Sequence, residues 1–214
     1  MISWRVRRTI LAVCFLLSSC ATTKLTAIKD PSVSPRVYHN ILVAAPFPDL
    51  ESRQTAEGAF VARLSESGVG ARPSLSILFP GKEYTAEEFA KLVLDSGADG
   101  MLVVVLKDSY SEKAYVPESS YSTGRATLYG NVVRYSGQTQ HFGGYYVSRP
   151  RVRYEIRLFD ASTGQTAWIA TSLTSGNALA RFDTLLGSLA DTAVKQMQTD
   201  QLIPATGKGL PPAK

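Results

Sequence analysis

Met101-Leu102-Val103-Val104-Val105-Leu106 is apolar at every position, and a continuous run of that kind predicts a central strand covered on both faces. Just upstream, Thr85 and Glu88 have capping-box spacing, in which the hydroxyl and the carboxylate each take an orphan amide of the first helical turn. A helix therefore leads into the strand, with Phe89, Leu92 and Val93 as its apolar stripe and Gly97 as its stop. Further back, Ser52 to Ser67 reads as another helix, because Ala56, Phe60 and Leu64 recur every four residues and Gly68 can end it. Ile41-Leu42-Val43-Ala44-Ala45, closed by Pro46 and Pro48, is a short buried strand. Residues 71–79 alternate through Leu75, Ile77 and Phe79 as a half-buried strand.

Downstream, the period switches to two. Val152, Tyr154, Ile156 and Leu158 are predicted to face a core while Arg151, Arg153, Glu155 and Arg157 face away. Asp160-Ala161-Ser162-Thr163-Gly164 is a hairpin connection, and Trp168, Ile169 and Leu173 continue the returning strand. Ala178 to Thr199 carries Phe182, Leu185, Leu186, Leu189, Ala193 and Met197 on one helical stripe. That stripe outweighs Gly187, which costs about 1 kcal/mol relative to alanine. The order β-α-β-α-β-insert-β-β-α is an α/β (α+β) fold, a mixed β-sheet with helices packed on it. Residues 37–201 are long enough for a single domain burying about 70% of the unfolded chain's surface.

The first nineteen residues have a different character. Arg5, Arg7 and Arg8 precede a mostly apolar run from Thr9 to Leu17, followed by Ser18 and Ser19, the pattern of a removable signal peptide. The run is too short to span a bilayer, which takes about 20 residues. Leu17-Ser18-Ser19-Cys20 resembles the lipobox of bacterial lipoproteins. The resemblance implies cleavage between Ser19 and Cys20 and acylation of Cys20 with chains such as palmitate, an anchor worth about 0.8 kcal/mol per buried methylene. In such lipoproteins of Gram-negative bacteria, Ala21 after the cysteine in place of aspartate implies the periplasmic face of the outer membrane. Cys14 leaves with the signal peptide and Cys20 becomes a thioether, so cysteine catalysis is excluded. Three arginines leave as well, so the 23 basic residues fall to 20 against 18 acidic ones, and no nucleic-acid partner is implied. Residues 20–36, broken by Pro31 and Pro35, read as the lipidated cysteine and a flexible tether. Residues 202–214 read as a disordered tail.

The 214 residues are 44% apolar and 19% charged, which excludes a disordered, collagenous or coiled-coil chain. Two cysteines and two histidines leave too few ligands for a disulfide framework or a zinc cluster. His39 and His141 stand far apart and read as surface or turn residues. There is no Gly-x-Ser-x-Gly elbow, and Asp49/Glu51 and Glu87/Glu88 read as a loop pair and an acidic helix start. Gly68-Val69-Gly70 follows a helix, the reverse of a dinucleotide fingerprint, and Gly207-Lys208 lacks a Walker loop. No catalytic, cofactor or metal residue is assigned.

One region stands apart. Residues 108–150 hold seven of the ten tyrosines, five glycines and many serines, with Arg149, Arg151 and Arg153 at the end. Tyrosine offers a flat apolar body with a polar tip and arginine a planar cation, a pairing suited to sugars, anionic polymers or protein surfaces. The candidate contacts are Tyr121, Tyr129, Tyr145, Tyr146, Arg149, Arg151 and Arg153. A bland alternative is an irregular insert packed by its own aromatics over the sheet edge.

The lipobox, Lys29-Asp30-Pro31, the Ile41 strand, Gly97-Ala98-Asp99 before the apolar strand and Asp160-Ala161-Ser162-Thr163-Gly164 before Trp168 together resemble a broad group of bacterial lipoproteins of unknown function. Their folds are similar to those of the peptidoglycan-synthase-activator lipoproteins, the curli-secretion channel's periplasmic domain and the amino-terminal domain of the Tol-Pal translocation protein B. The resemblance implies a fold and a compartment, with no catalytic residue to carry over. That address, with no catalytic constellation in the sequence, leads to the expectation of a lipid-anchored, non-enzymatic periplasmic adaptor or binding module whose partner is an envelope protein or peptidoglycan. An alternative is a subunit of an oligomeric outer-membrane export channel, its insert spanning as hairpins with Ala126, Leu128, Gly130, Val132 and Arg134 as the best face. An envelope hydrolase with scattered catalytic residues is a further alternative.

Overall fold

The computed structural model describes residues 21–33, 36–129 and 132–205, with backbone alone for 121–129 and 132–139. The expected signal peptide, Cys20, and residues 206–214 of the expected tail lie outside the described residues. In chain order the elements are β1 (Ala21–Lys29), β2 (Asn40–Ala44), α1 (Leu50–Glu66), β3 (Gly70–Pro73), α2 (Ala86–Asp95), β4 (Gly100–Val116), β5 (Ser119–Tyr129), β6 (Val132–Phe142), β7 (Tyr145–Asp160), β8 (Thr166–Gly176) and α3 (Phe182–Thr199). Six strands form one mixed sheet in the order β1-β8-β7-β4-β2-β3, while β5 and β6 form a separate two-stranded sheet. β2 runs parallel to β3 and β4, and the remaining pairs of the large sheet are antiparallel. The α+β class, with helices packed on a mixed sheet, is the one the sequence predicts.

Alternation along the strands sorts the two faces. Leu102 and Val104 of β4, Tyr154, Ile156 and Leu158 of β7, and Trp168 and Ala170 of β8 point to one side, where α1 brings Ala56, Phe60 and Leu64 and α3 brings Leu185, Leu186, Leu189, Ala193 and Met197. On the other side α2 seats Val93 against Leu42, Ala44 and Met101. β4 is thus covered on both faces where it starts. The α2 side is otherwise open, since that helix has only ten residues. The capping box forms: the Glu88 amide donates to the Thr85 hydroxyl at 3.2 Å and the Thr85 amide to the Glu88 carboxylate at 3.0 Å.

Four expectations need correction. The tether over residues 20–36 is wrong for its first half, because Ala21–Lys29 is an edge strand paired over its whole length with β8, from Ala21 opposite Gly176 to Lys29 opposite Trp168. Its odd positions, Ala21, Thr23, Leu25 and Ala27, turn inward and its even ones outward, a period of two that the prolines further on obscure. The strand expected over 71–79 stops at Pro73 and becomes a single 3₁₀ turn, Ser74–Ser76. The cause is the buried carboxylate of Glu57, which accepts from the Ser74 hydroxyl at 2.7 Å and the Leu75 amide at 3.1 Å and draws the chain out of the sheet. The tail does not begin at 202: Leu202 and Ile203 are buried, and the Tyr38 amide donates to the Leu202 carbonyl at 2.7 Å. The insert is not irregular, as the next section describes.

Candidate functional site

β4 and β7 are longer than the sheet that holds them. β2 pairs with β4 only from Gly100 to Val103, and β8 pairs with β7 only from Arg151 onward, yet β4 and β7 remain paired out to Val116 opposite Tyr145. Ser111–Val116 and Tyr145–Pro150 therefore form a two-stranded ribbon with no third strand. It breaks for two residues on each side and resumes as β5–β6, from Ser119 opposite Phe142 to Tyr129 opposite Val132. Residues 108–129 and 132–150 belong to one long hairpin arm, two-stranded from Ser111 and Pro150 outward. Its inner break is built from Pro117, which has no amide to donate, and Gly143, whose φ of +96° and contact with the Pro117 carbonyl leave no room for a Cβ. The Gly144 amide closes the break on the Val116 carbonyl at 2.8 Å. His141 lies there on the surface, its Nδ1 3.2 Å from Glu118.

The candidate residues divide sharply along this arm. Tyr145 and Tyr146 are 55% and 69% exposed, and Tyr146 meets its cross-strand partner Tyr115 with ring centroids 5.1 Å apart. Such a pair holds the two strands together by about 0.5–1.5 kcal/mol. Arg149 and Arg153 are exposed and have no ion-pair partner among the described residues. Arg151 is different: its Nε and Nη2 donate to Glu112 at 2.7 and 2.6 Å, and its Nη1 donates to the Ser175 hydroxyl of β8. It braces the root of the arm to the sheet. Tyr121 lies opposite Gln140 and Tyr129 opposite Val132. Sequence reading missed Glu112 as the brace's acceptor, and Tyr110 and Tyr115 as exposed members of the same tyrosine group. Their signal is the register itself, Tyr110 opposite Arg151 and Tyr115 opposite Tyr146.

The channel-type face is not one strand. Ala126 and Leu128 are on β5, Val132 and Arg134 are on β6, and Gly130 lies outside the described residues. Below the arm, the open face of β7 carries Arg153, Glu155 and Arg157, with Glu155 bridged to Arg157 at 2.7 Å and to Lys107 at 3.6 Å.

Elsewhere, polar clusters are structural. At the far end of the sheet Asp160 accepts from the Ser162 amide at 2.9 Å and hydroxyl at 2.5 Å, the Thr163 amide at 3.1 Å and the Arg36 guanidinium at 2.9 Å. Burial pushes its carboxyl up, but these donors outweigh burial and hold it at about 2. Burial, and then the Asp160 charge, push the neighbouring Tyr38 phenol up to about 12. Neither group changes protonation near neutral pH. An apolar groove of about 360 Å³ runs between α2 and the sheet, lined by Phe89, Val93, Met101, Val103, Phe159 and Ala161. Among the described residues no three of His, Cys, Asp and Glu gather closely enough to hold a metal ion, and no helix is long and apolar enough to cross a membrane.

No protein-family model and no curated protein matches the chain. Solved structures similar to it include the PelC dodecamer from Paraburkholderia phytofirmans, 14% identical over 83% of this chain and 98% of that one, with a TM-score of 0.48. They also include the lipoprotein GNA1162 from Neisseria meningitidis, 20% identical over 75% of this chain and 98% of that one, with a TM-score of 0.40.

Proposed function

We propose that this protein is a lipid-anchored, non-enzymatic binding module of the bacterial cell envelope, and that its working part is the arm of residues 108–150. One observation carries the reading. The arm presents Tyr115, Tyr145, Tyr146 and Arg149 to solvent on a two-stranded ribbon that adds no side chain to the enclosed core, and Tyr110 and Arg153 stand exposed at its root. Exposed tyrosine and unpaired arginine are the side chains that dominate binding surfaces, and a long ribbon with free edges is costly to keep without a use. The lipobox-like Leu17-Ser18-Ser19-Cys20 supplies the anchor, and Ala21 the outer-membrane address. The partner is an envelope protein or peptidoglycan.

The test is in-cell photocrosslinking from positions 145 and 146, with a position on the exposed face of α1 as control. Adducts with an envelope component are expected from the arm and not from the control. From either position they should disappear when the other tyrosine of the pair, Arg149 and Arg153 are changed to alanine, with Tm nearly unchanged because these side chains are exposed. Adducts from α1 alone would refute the assignment.

The export-channel reading keeps one supporting observation. β5 and β6 have 11 residues each, the length of a bilayer-spanning strand, about 9–11 residues. Open strand edges cannot lie in lipid, so this reading requires several copies to close a barrel. A monomer in detergent would end it.

A further inference from the structure

We propose that the loop Asn177–Arg181, between β8 and α3, rests on the lipid surface, with Leu179 at the boundary between headgroups and acyl chains and Arg181 beside lipid phosphates. The inference rests on the reading of Cys20 as acylated, and it names the part of the body that touches the membrane. β1 begins at Ala21, which lies opposite Gly176, the last residue of β8. Consecutive Cα atoms are about 3.8 Å apart, so acyl chains on Cys20 start at the end of the sheet with no slack between. That end of the body is held against the headgroups.

The residues gathered there suit the place. Leu179, three residues beyond Gly176, is 83% exposed, more than any other large apolar side chain among the described residues. A lone exposed leucine is ordinary, but this one sits on a fixed turn beside the anchoring residue. The Leu179 amide donates to Asn177 Oδ1 at 2.9 Å, the Ala180 amide donates to the Asn177 carbonyl at 3.1 Å, and Ala180 packs on Gly176. The Arg181 side chain is exposed, with its Nε 3.9 Å from the also exposed Asp183 carboxylate. The opposite end of the sheet has the reverse character. Asp30, Asp99, Asp160 and Asp200 lie at that end, with Lys29 on the Asp200 carbonyl and Arg36 on Asp160, a composition rich in acids that an anionic leaflet repels. The arm also leaves from the Ala21 end, because Ser175 is opposite Arg151 and Arg151 is opposite Tyr110. Whatever the arm binds is met at the membrane surface.

Acylation consumes the thiol of Cys20, and Cys14 leaves with the signal peptide, so an introduced cysteine is the only free thiol in the mature lipoprotein. Leu179→Cys and, at the far end of β8, Gln165→Cys are each labelled with an environment-sensitive fluorophore. The acylated protein is then placed in vesicles of phosphatidylethanolamine and phosphatidylglycerol. The expected result is a blue-shifted label at 179 that aqueous iodide quenches several-fold less than the label at 165. Equal quenching at both positions on vesicle-bound protein overturns the proposal and leaves the anchor standing. Protein that fails to float with vesicles and carries an unmodified Cys20 overturns the anchor first and the proposal with it. Protection at 179 in the non-acylated chain without lipid assigns the loop to contact with a second copy and also overturns it.

Discussion

The body and the arm of this molecule are built from the same kind of strand and are held together by different forces. In the body, β4 and β7 run through a sheet whose buried face meets two helices, and Leu102, Val104, Ile156 and Leu158 are wholly enclosed. In the arm the same two strands continue with exposed side chains on most positions and only each other for company. Burial of apolar surface, about 25 cal/mol per Å², fixes the body. Ladder hydrogen bonds, one tyrosine pair and the Arg151 brace fix the arm. The body is therefore the stable unit, and the arm opens locally at much lower cost.

The sharpest break of this contrast is Trp168→Ala. Trp168 is fully buried and donates its Nε1 hydrogen to Asp200 at 2.7 Å. Its truncation should cost about 3–5 kcal/mol, a drop in Tm on the order of 10 °C, while crosslinking from the arm below the transition stays unchanged. Next comes Glu57→Leu, which leaves the Ser74 hydroxyl and the Ala45 and Leu75 amides without their acceptor. About 3 kcal/mol should be lost in urea titration, with Glu57→Gln recovering part of it. Asp160 gives the pH arm of the comparison. Its folded carboxyl sits at about 2, below the ordinary value, so its contribution of about 2 kcal/mol is fully present above pH 4 and is lost as pH falls toward 2. Asp160→Asn should remove that dependence from the body and leave the arm's local opening untouched.

Two smaller effects should be confined to the arm. Gly143→Ala forces a Cβ onto the Pro117 carbonyl at a positive φ, so proteolysis within 117–144 should speed up while the body's Tm holds. Joining Glu112 to Arg149, which are register partners, through an Asn-Gly turn deletes the arm beyond them. The body's Tm should then move by no more than about 2 °C. A larger fall would mean that the arm supports the fold and is not a separate working part.

The same division decides what could be read from the amino acids. Phe60 and Leu64, or Leu185 and Leu189, announce a helix because burial imposes a period close to 3.6 residues on them, and Met101–Leu106 announces a buried strand for the same reason. β1 escaped because Thr22, Lys24 and Thr26 are polar and its partner Gly176 is about 150 residues away, so nothing local marks the pairing. The arm escaped because its order comes from register and not from burial. Tyrosines and serines without a core leave no apolar period, although composition alone singles out Tyr145, Tyr146, Arg149 and Arg153 as candidates, and the structure leaves all four exposed. Arg151 belongs to the same charged alternation, and only Glu112 on the neighbouring strand reveals that it is a brace.

Under the proposed acylation of Cys20, β1 is the element next to the anchor, and mechanical load on the molecule enters through a strand. A pull on Ala21 along the axis of β1 acts on the nine register pairs with β8 together, from Ala21–Gly176 to Lys29–Trp168, so the bonds resist sliding as a group instead of opening one after another. On that reading, an edge strand loaded in shear keeps the body attached and folded under tension that would unzip a hairpin pulled from its open end.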